Sequence, residues 1–417
     1  MGIGFSVGYD DNVFQTPSDN TPSIIPGGSQ IVEPGQEAGV VVLGVIPQRV
    51  GSGGVVIPER VIYGFRPATP DAIREEDLVI PPGEPLGSFL TRSNLNLQMQ
   101  RFTRRSLFTL DFSGGRTYYW DKDEDPIDYN ASISASYLHR FTPRLQTTVL
   151  FNSAYLSQPD LSRVNTPDRP TQGDLLNTLA RVDLSYRFTP RISTVATASY
   201  AGNRYTETVE EVGNYDQWTL GIEARYLWKP RWTLIAEARH SMTTYDQQPT
   251  LDSTTEYLLV GSEFILNPRL SGSLRMGMST KRFDVGSSQT APYVESSVMY
   301  RSTARSTITW TNRFGFEEVG SPDEERLVYR STIGYNYAFT PRLRGSANVN
   351  LIHEISTNKV TDVEFAQDTF DSTIGLDYQI TKRFGLNASY AFTLVNSNTG
   401  LSDYSRNRIY FGGQISF

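Results

Sequence analysis

The 417-residue sequence contains no cysteine. A disulfide framework, a thiolate zinc site, a cysteine nucleophile and lipid attachment to an N-terminal cysteine are therefore excluded. Long apolar runs are also missing, because none approaches the roughly 18 residues that a membrane-spanning helix requires. These absences exclude a helical membrane protein and all cysteine-based chemistry.

Basic residues are outnumbered, with 38 Lys and Arg against 45 Asp and Glu and a formal charge of −7. This acidic balance argues against a nucleic-acid partner. The sequence also lacks a glycine-rich phosphate loop and any cluster of side chains at metal-ligand spacing. We therefore predict a protein that is not an enzyme and that needs neither a cofactor nor a metal. Because Met1 to Gly8 lack a basic stretch followed by an apolar core, we expect a mature or trimmed chain without a signal peptide.

Aromatic residues and glycine are plentiful, with 23 Tyr, 21 Phe and 33 Gly spread evenly along the chain. Together with the scarcity of helix-favouring stretches, this composition indicates one large all-β body.

A short element that ends in Arg recurs eight times along the chain. It is Phe-Thr-Pro-Arg at residues 141–144, 188–191 and 339–342, and its variants end at Arg105, Arg231, Arg269, Arg305 and Arg383. Proline fixes φ and cannot donate to a β-ladder, so a Thr-Pro pair between alternating runs marks a tight turn. Each copy therefore predicts a hairpin turn.

Between these turns, apolar and polar residues alternate with period two, which is typical of β-strands. In residues 384–394, for example, one face carries Phe, Leu, Ala and Tyr while the other carries Gly, Asn, Ser, Ala and Thr. Counting such runs gives eighteen strands, from Ile3–Tyr9 to Arg406–Phe417. Both ends of the chain then lie on the side of the short turns.

From Ala131 onward, the apolar face of the strands carries essentially no charged residue. Since side chains cannot fill the interior of so wide a barrel, we expect this face to contact lipid and the polar face to line a lumen. The sequence predicts one domain, residues 1–417, that forms a transmembrane antiparallel up-and-down β-barrel in the bacterial outer membrane. Its short turns would be periplasmic and its long loops extracellular. A β-propeller repeats at a similar interval but fits four short strands into it, not two long ones.

Charges of both signs occur on the predicted lumen face. Their positions are Arg181, Asp183, Glu223, Arg225, Glu237, Arg239, Glu263, Arg275, Arg313, Arg330, Arg344, Asp377, Arg406 and Arg408. They would either neutralise one another by cross-strand pairing or guide a substrate. Gly, Ser, Asn and Thr fill the other lumen positions, and a hydroxyl-rich polymer could slide along such a wall.

The ends of the strands carry two further signals. The turn arginines Arg144, Arg191, Arg231, Arg269 and Arg342 are predicted at the periplasmic rim, either as solvated charges near lipid headgroups or as a ring that docks a partner. The last strand presents Ile409, Phe411, Ile415 and Phe417 on one face, which resembles the signal read by the outer-membrane assembly machinery. We expect that machinery, outer-membrane lipid and lipopolysaccharide as partners.

Residues 10–86 interrupt the strand rhythm and hold 11 of the 23 prolines. Strand parity makes this segment the first extracellular loop, which would either fold into the lumen as a constriction or stand at the surface as a cap or a disordered segment. Two apolar, β-branched pieces at 39–46 and 54–65 predict a hairpin within it.

The remaining candidates for site chemistry have simple explanations. His139, His240 and His353 fall in register with the lipid-facing residues, and no serine with an orienting acid marks a hydrolase beside them. Asp10, Asp11 and Asn12 could bind Ca²⁺ through oxygen ligands or form a solvated turn at a strand end.

The opening Gly8-Tyr9-Asp10-Asp11-Asn12-Val13-Phe14, the Phe-Thr-Pro-Arg turns and the terminal Phe resemble the β-barrel porins found in exopolysaccharide biosynthesis and export clusters. The long proline-rich first loop departs from a minimal member of that family. The resemblance implies a pore for a polar polymer such as an exopolysaccharide, which periplasmic export components would supply. The alternatives are a passive general diffusion porin and a plugged structural or adhesive barrel.

Overall fold

The computed structural model describes residues 2–12, 23–25, 40–46, 49–50, 56–57, 60–65, 78–80, 87–122, 126–157, 174–205, 214–247, 249–284, 288–317, 324–358, 363–398 and 403–417. No helix in these ranges is long and apolar enough to cross a membrane.

Eighteen long strands form one closed antiparallel sheet. They are β1 (Gly2–Asp10), β2 (Ser88–Phe102), β3 (Ser106–Tyr119), β4 (Ile127–Arg140), β5 (Leu145–Leu156), β6 (Leu175–Arg187), β7 (Ile192–Tyr205), β8 (Tyr215–Lys229), β9 (Trp232–Tyr245), β10 (Ser253–Asn267), β11 (Leu270–Phe283), β12 (Ser288–Thr303), β13 (Ser306–Phe316), β14 (Glu324–Ala338), β15 (Leu343–Asn358), β16 (Val363–Gln379), β17 (Phe384–Ser397) and β18 (Tyr404–Ser416). Each strand pairs with the next, and β1 also pairs with β18, which closes the barrel. The predicted fold class, strand number and up-and-down order are confirmed.

The eight recurring Arg elements coincide with eight short hairpin turns, all at one end of the barrel, here called the turn end. In the copy at 141–144, the Thr142 hydroxyl accepts hydrogen bonds from the backbone N–H groups of Arg144 (3.1 Å) and Leu145 (3.0 Å). Thr189 and Thr340 make the same two bonds in the other identical copies. The threonine of the repeat therefore replaces backbone partners that the tight turn leaves out.

The turn arginine contributes a backbone contact to the neighbouring hairpin. The carbonyl of Arg144 accepts the N–H of Arg187 at 2.9 Å, and the carbonyl of Arg342 accepts that of Gln379 at 2.8 Å. Equivalent bonds join each of the eight turns to the strand that follows its hairpin. Any residue could supply this carbonyl, so the bond explains the position of the turn but not why its side chain is basic.

Large apolar side chains point outward from the barrel. Trp218, Leu220 and Ile222 on β8 are 55%, 61% and 60% exposed, whereas the alternate residue Glu223 is 7% exposed. Trp228 and Trp218 bound the apolar stretch of this strand, and ten residues of a strand tilted by about 40° span roughly 25 Å along the barrel axis. This is the height of the apolar band that a membrane barrel requires.

The outward face carries more charge than its sequence suggested. Glu256 lies 3.0 Å from His240 and Asp368 lies 2.7 Å from His353, with all four side chains on the outward face near the loop end. The third outward histidine, His139, contacts the Ser106 hydroxyl at 2.7 Å. The expectation of an almost uncharged outer face was therefore wrong at these positions, because a neighbouring strand supplies each histidine with a polar partner. None of the three contacts both a serine and a carboxylate within the ranges described above.

The acidic motif at the end of β1 adds side-chain contacts where the barrel closes. The Asp10 carboxylate, which is fully buried, accepts hydrogen bonds from Arg406 Nε (3.0 Å) and Nη2 (2.5 Å) on β18. Asp11 accepts the backbone and side-chain amides of Asn407 at 2.5 and 2.6 Å, and the Asn12 amide donates to the carbonyl of Ser405 at 3.1 Å. We call the contacts of Asp10 and Asp11 with Arg406 and Asn407 the seam. Neither the Ca²⁺ interpretation nor the solvated turn anticipated it.

The first loop contains three pairs of short strands: 23–25 with 78–80, 40–46 with 60–65, and 49–50 with 56–57. The hairpin predicted for this segment is confirmed by the second and third pairs. Its predicted role as a constriction or a cap depends on residues outside the described ranges.

The turns provide a first stability test. Replacing Thr142 by Val removes the hydroxyl acceptor of two backbone N–H groups and should lower the free energy of unfolding by about 1 kcal/mol. Replacing Thr142 by Ser keeps the hydroxyl and should leave the stability nearly unchanged. Urea titration in detergent micelles, followed by tryptophan fluorescence, measures both variants. An equal loss in the two would mean that the hydroxyl is not the stabilising group.

The seam provides a second test. Arg406→Gln leaves the buried Asp10 carboxylate without its charged partner and should cost about 3–5 kcal/mol of unfolding free energy. The matched control is Arg181→Gln, because Arg181 pairs with Asp183 at 2.9 Å but its side chain is 48% exposed. That variant should lose about 1 kcal/mol or less. Heat-dependent gel migration of the folded barrel and urea titration report both, and similar losses would contradict a closing role for the seam.

Candidate functional site: the lumen wall

Seven charged residues on β8–β12 form a continuous ion network. They are Glu223, Arg225, Glu237, Arg239, Glu263, Arg275 and Glu295. Arg275 lies 2.8 Å from Glu223 and 3.0 Å from Glu237, and Arg239 lies 2.9 Å from Glu295. The Tyr293 hydroxyl donates a further hydrogen bond to Glu295 at 2.8 Å. Four carboxylates and three guanidinium groups thus share one patch of the wall.

The reach of these contacts shows which face the network occupies. Arg239 on β9 meets Glu295 on β12, and Arg275 on β11 meets Glu223 on β8, so each contact bridges three strand spacings, or about 14 Å of backbone. Side chains converge over such a distance only on the concave side of a barrel. The ion network therefore lines the lumen.

The strand register alone places like charges opposite each other, and the ion network compensates them. Glu223 lies directly opposite Glu237 on the neighbouring strand, a like-charged pair that destabilises a sheet. Arg275 contacts both carboxylates and neutralises the pair. Arg313 likewise lies opposite Arg330, and Arg330 pairs with Glu317 at 2.7 Å. Opposite-charge pairing across adjacent strands, as between Arg275 and Glu295 at 3.5 Å, therefore describes only part of this wall, because Arg275 also contacts Glu223 three strands away.

The structure places all fourteen predicted lumen residues on the inward face, opposite the exposed apolar side chains. Six belong to the ion network, Arg181 pairs with Asp183, and Arg406 belongs to the seam. Arg408 donates to Thr393 at 3.4 Å. Arg344 and Asp377 face each other in the register, yet they are not among the ion pairs within 4.0 Å in the described ranges. Their role in guiding a substrate stays a prediction.

The opposite side of the lumen is built differently. A groove there is lined by side-chain amides and hydroxyls, which we call the amide wall: Ser6, Asn94, Asn96, Ser113, Asn130, Thr373, Asn387 and Ser389. Arg92, Arg408 and Tyr410 line the same groove, and the Arg92 guanidinium lies 4.7 Å from the centre of the Tyr410 ring. Sequence reasoning named Arg408 but missed Arg92, Asn94 and Asn96. The period-two register of β2, continued from its outward Phe89 and Leu97, would have placed all three inward.

The C-terminal half of the chain, residues 213–417, matches the sequence profile of a family described as "Putative beta-barrel porin 2". This segment contains the ion network and eleven complete strands of the closed barrel, β8 to β18. The protein is a porin-type β-barrel of the outer membrane. It is a channel-forming protein and not an enzyme, as the sequence predicted. Its turn end is accordingly periplasmic and its loop end extracellular.

Several solved structures are similar to this chain at low sequence identity. A BenF-like porin from Pseudomonas fluorescens Pf-5 shares 9% identity with a TM-score of 0.44, covering 100% of this chain and 98% of that one. OpdK from Pseudomonas aeruginosa, solved with vanillate, shares 12% identity with a TM-score of 0.43, covering 80% and 94%. OccAB3 from Acinetobacter baumannii shares 11% identity with a TM-score of 0.42, covering 100% and 98%. No curated protein sequence matches this chain.

The periplasmic end of the porin is strongly basic. Sixteen of the 38 Lys and Arg residues lie in or within three residues of a short turn, against Asp377 alone of the 45 Asp and Glu. We call these cations the basic rim: Arg101, Arg104, Arg105, Arg140, Arg144, Arg187, Arg191, Lys229, Arg231, Arg269, Arg301, Arg305, Arg342, Arg344, Lys382 and Arg383. The five turn arginines predicted at this rim are among them. All sixteen are exposed.

The ion network predicts the effect of replacing Arg275. Replacing it by Gln leaves Glu223 and Glu237 opposed without their shared cation, which should cost roughly 2–3 kcal/mol of unfolding free energy. The same change makes the lumen wall more negative and should shift its selectivity towards cations. Urea titration and the reversal potential across a KCl gradient measure the two effects. Arg181→Gln is the control, and an equal shift in both variants would show that the network does not control selectivity.

Proposed function

We propose that this porin is a conduit through which a polar polymer, such as an exopolysaccharide, leaves the periplasm. A barrel of eighteen strands encloses an aqueous channel, because side chains cannot fill its interior. The observation that carries the proposal is the contrast between the two sides of that channel. The amide wall offers hydrogen-bonding groups, while the charges opposite are occupied with one another.

This contrast suits a long, hydroxyl-rich chain. Asn96, Asn387 and Ser389 can each donate or accept one or two weak hydrogen bonds, and none forms a deep pocket of its own. Many weak and equivalent contacts allow a polymer to bind and to move on, whereas one tight site would hold it in place. The ion network keeps the other side hydrated without presenting an unpaired charge that would trap the cargo.

Passive diffusion of small solutes is the second candidate function. The mixed charges of the ion network favour it, since a nearly neutral, water-filled bore passes small ions of both signs with little selectivity. A plugged structural or adhesive barrel would pass none.

A complementation experiment tests the conduit. In a host from which the gene is deleted, Asn96→Leu combined with Asn387→Leu should reduce surface glycan severalfold relative to the wild-type gene, because both side chains are exposed on the amide wall. The matched control is Ser297→Leu combined with Thr311→Leu, which adds similar bulk at two exposed, paired lumen positions on β12 and β13.

Three outcomes are decisive. Loss of glycan in the first variant alone supports a polymer track along the amide wall. Undiminished glycan in the gene deletion itself removes the export proposal and leaves the passive porin. Absence of any current through the purified barrel in a planar bilayer would leave only the plugged scaffold.

A further inference from the structure

The basic rim divides the charge of the porin very unevenly along its axis. With 16 of the 38 cations and one of the 45 carboxylates near the periplasmic turns, 22 cations and 44 carboxylates remain for the rest of the chain. A net-negative protein therefore has a strongly positive periplasmic mouth. Such a separation of charge produces a directional field at the entrance of the channel.

The cations of the basic rim are not used within the fold. None of the sixteen takes part in an ion pair in the ranges that the structure describes, in contrast with the arginines of the ion network. The remaining acid of this region, Asp377, has no ion pair within 4.0 Å there either. Internal neutralisation therefore does not explain the rim.

Four rim arginines direct their charge towards the channel. Arg140, Arg187 and Arg344 lie near the ends of their strands in register with the lumen-facing residues, and Arg301 is one position beyond the outward Tyr300. Solvated rim charges near lipid headgroups would have no reason to face inward. Their direction indicates a ligand that enters the bore.

The basic charge also continues up the amide wall. A groove at the periplasmic foot of β15–β18 is lined by Arg342, Arg344, Lys382 and Arg383, with Asp377 as its acid and Gln414 beside them. Farther up, Arg92 lines the amide wall, where Thr117 and the Tyr410 ring are its contacts and no ion pair is formed in the described ranges. The cations thus mark both the foot and the upper part of one path through the barrel.

The spacing of the rim favours an extended ligand over a small one. Successive turns are two strands apart, or about 12 Å along the rim of a tilted barrel, while electrostatic screening at physiological salt acts over about 8 Å. A small anion therefore meets one or two of these charges at a time. A chain with repeated negative groups meets several and is attracted by their sum.

We propose that the polymer carried by this porin is anionic, with carboxylate or phosphate groups along its length, and that the basic rim collects it at the periplasmic mouth. The inference rests on the conduit proposed above. Steering by a charged entrance raises association rates by about tenfold or more. The amide wall then conducts the chain past the ion network.

Current blockade in planar bilayers tests this inference with two probes of equal length, an oligogalacturonate and a neutral dextran oligomer, added to each chamber in turn. In 0.1 M KCl, the acidic oligomer should block the wild-type current about tenfold more often than dextran from the periplasmic side. In 1 M KCl, where the screening length falls to about 3 Å, the difference should disappear.

Variants assign the effect to the rim. Replacing Arg140, Arg187, Arg301 and Arg344 together by Gln should lower the rate of acidic blockade about tenfold and leave dextran blockade unchanged. Arg301→Gln with Arg344→Gln should give part of this loss. The charge-matched control, Arg116→Gln with Arg282→Gln, removes two exposed arginines on the outward face near the loop end and should have no effect. The ionic conductance of each variant shows that it has folded and inserted.

The outcomes separate the inference from the function on which it rests. Equal blockade by acidic and neutral oligomers in the wild type would overturn the inference, assign the rim to lipid headgroups or an acidic periplasmic protein, and leave the conduit intact. Passage of ions with entry of neither oligomer would overturn the conduit and the inference together.

Discussion

Hydrogen bonding of the backbone in a medium without water is the constraint on which this structure depends. Each unpaired N–H or C=O in hydrocarbon costs several kcal/mol, so a membrane sheet has to close on itself. In this chain closure joins residues almost four hundred positions apart, with Asp10 bonded to Arg406. The seam also adds side-chain bonds beside the β1–β18 ladder, where the short β1 has only nine residues to pair. The first and last strands are therefore held by charge as well as by backbone.

Once the barrel is closed, the two faces of each strand are in different solvents. The outward face is mostly apolar, and near the loop end it also carries polar groups that pair across strands, as Glu256 does with His240. The inward face tolerates charge because the lumen contains water. Its opposite charges nevertheless lie within ion-pair distance of one another. Arg275 shows why: it separates two glutamates that the strand register forces together. Curvature makes this arrangement available, since long side chains converge on the concave side.

The lumen therefore has three chemically distinct regions: a self-neutralised ion network, an amide wall across from it, and an uncompensated basic rim below. The first two could serve any polar cargo. The basic rim carries a net positive charge, and this charge distinguishes the periplasmic end from the extracellular end. This axial asymmetry of charge makes the two mouths of the barrel electrostatically different.

Strand number, order and orientation followed from the sequence alone, because a period of two and a proline-containing turn are local properties. The eight recurring elements that end in Arg marked every periplasmic hairpin, and the outward residues of β8 and β17 could be read directly from their alternation. The pairing of charges could not, since Arg239 meets a glutamate three strands away and the sequence does not state the curvature that brings them together. The role of Asp10 and Asp11 was equally hidden, because their partners lie at the other end of the chain. Local chemistry thus determined the strands, and closure of the sheet decided which side chains meet.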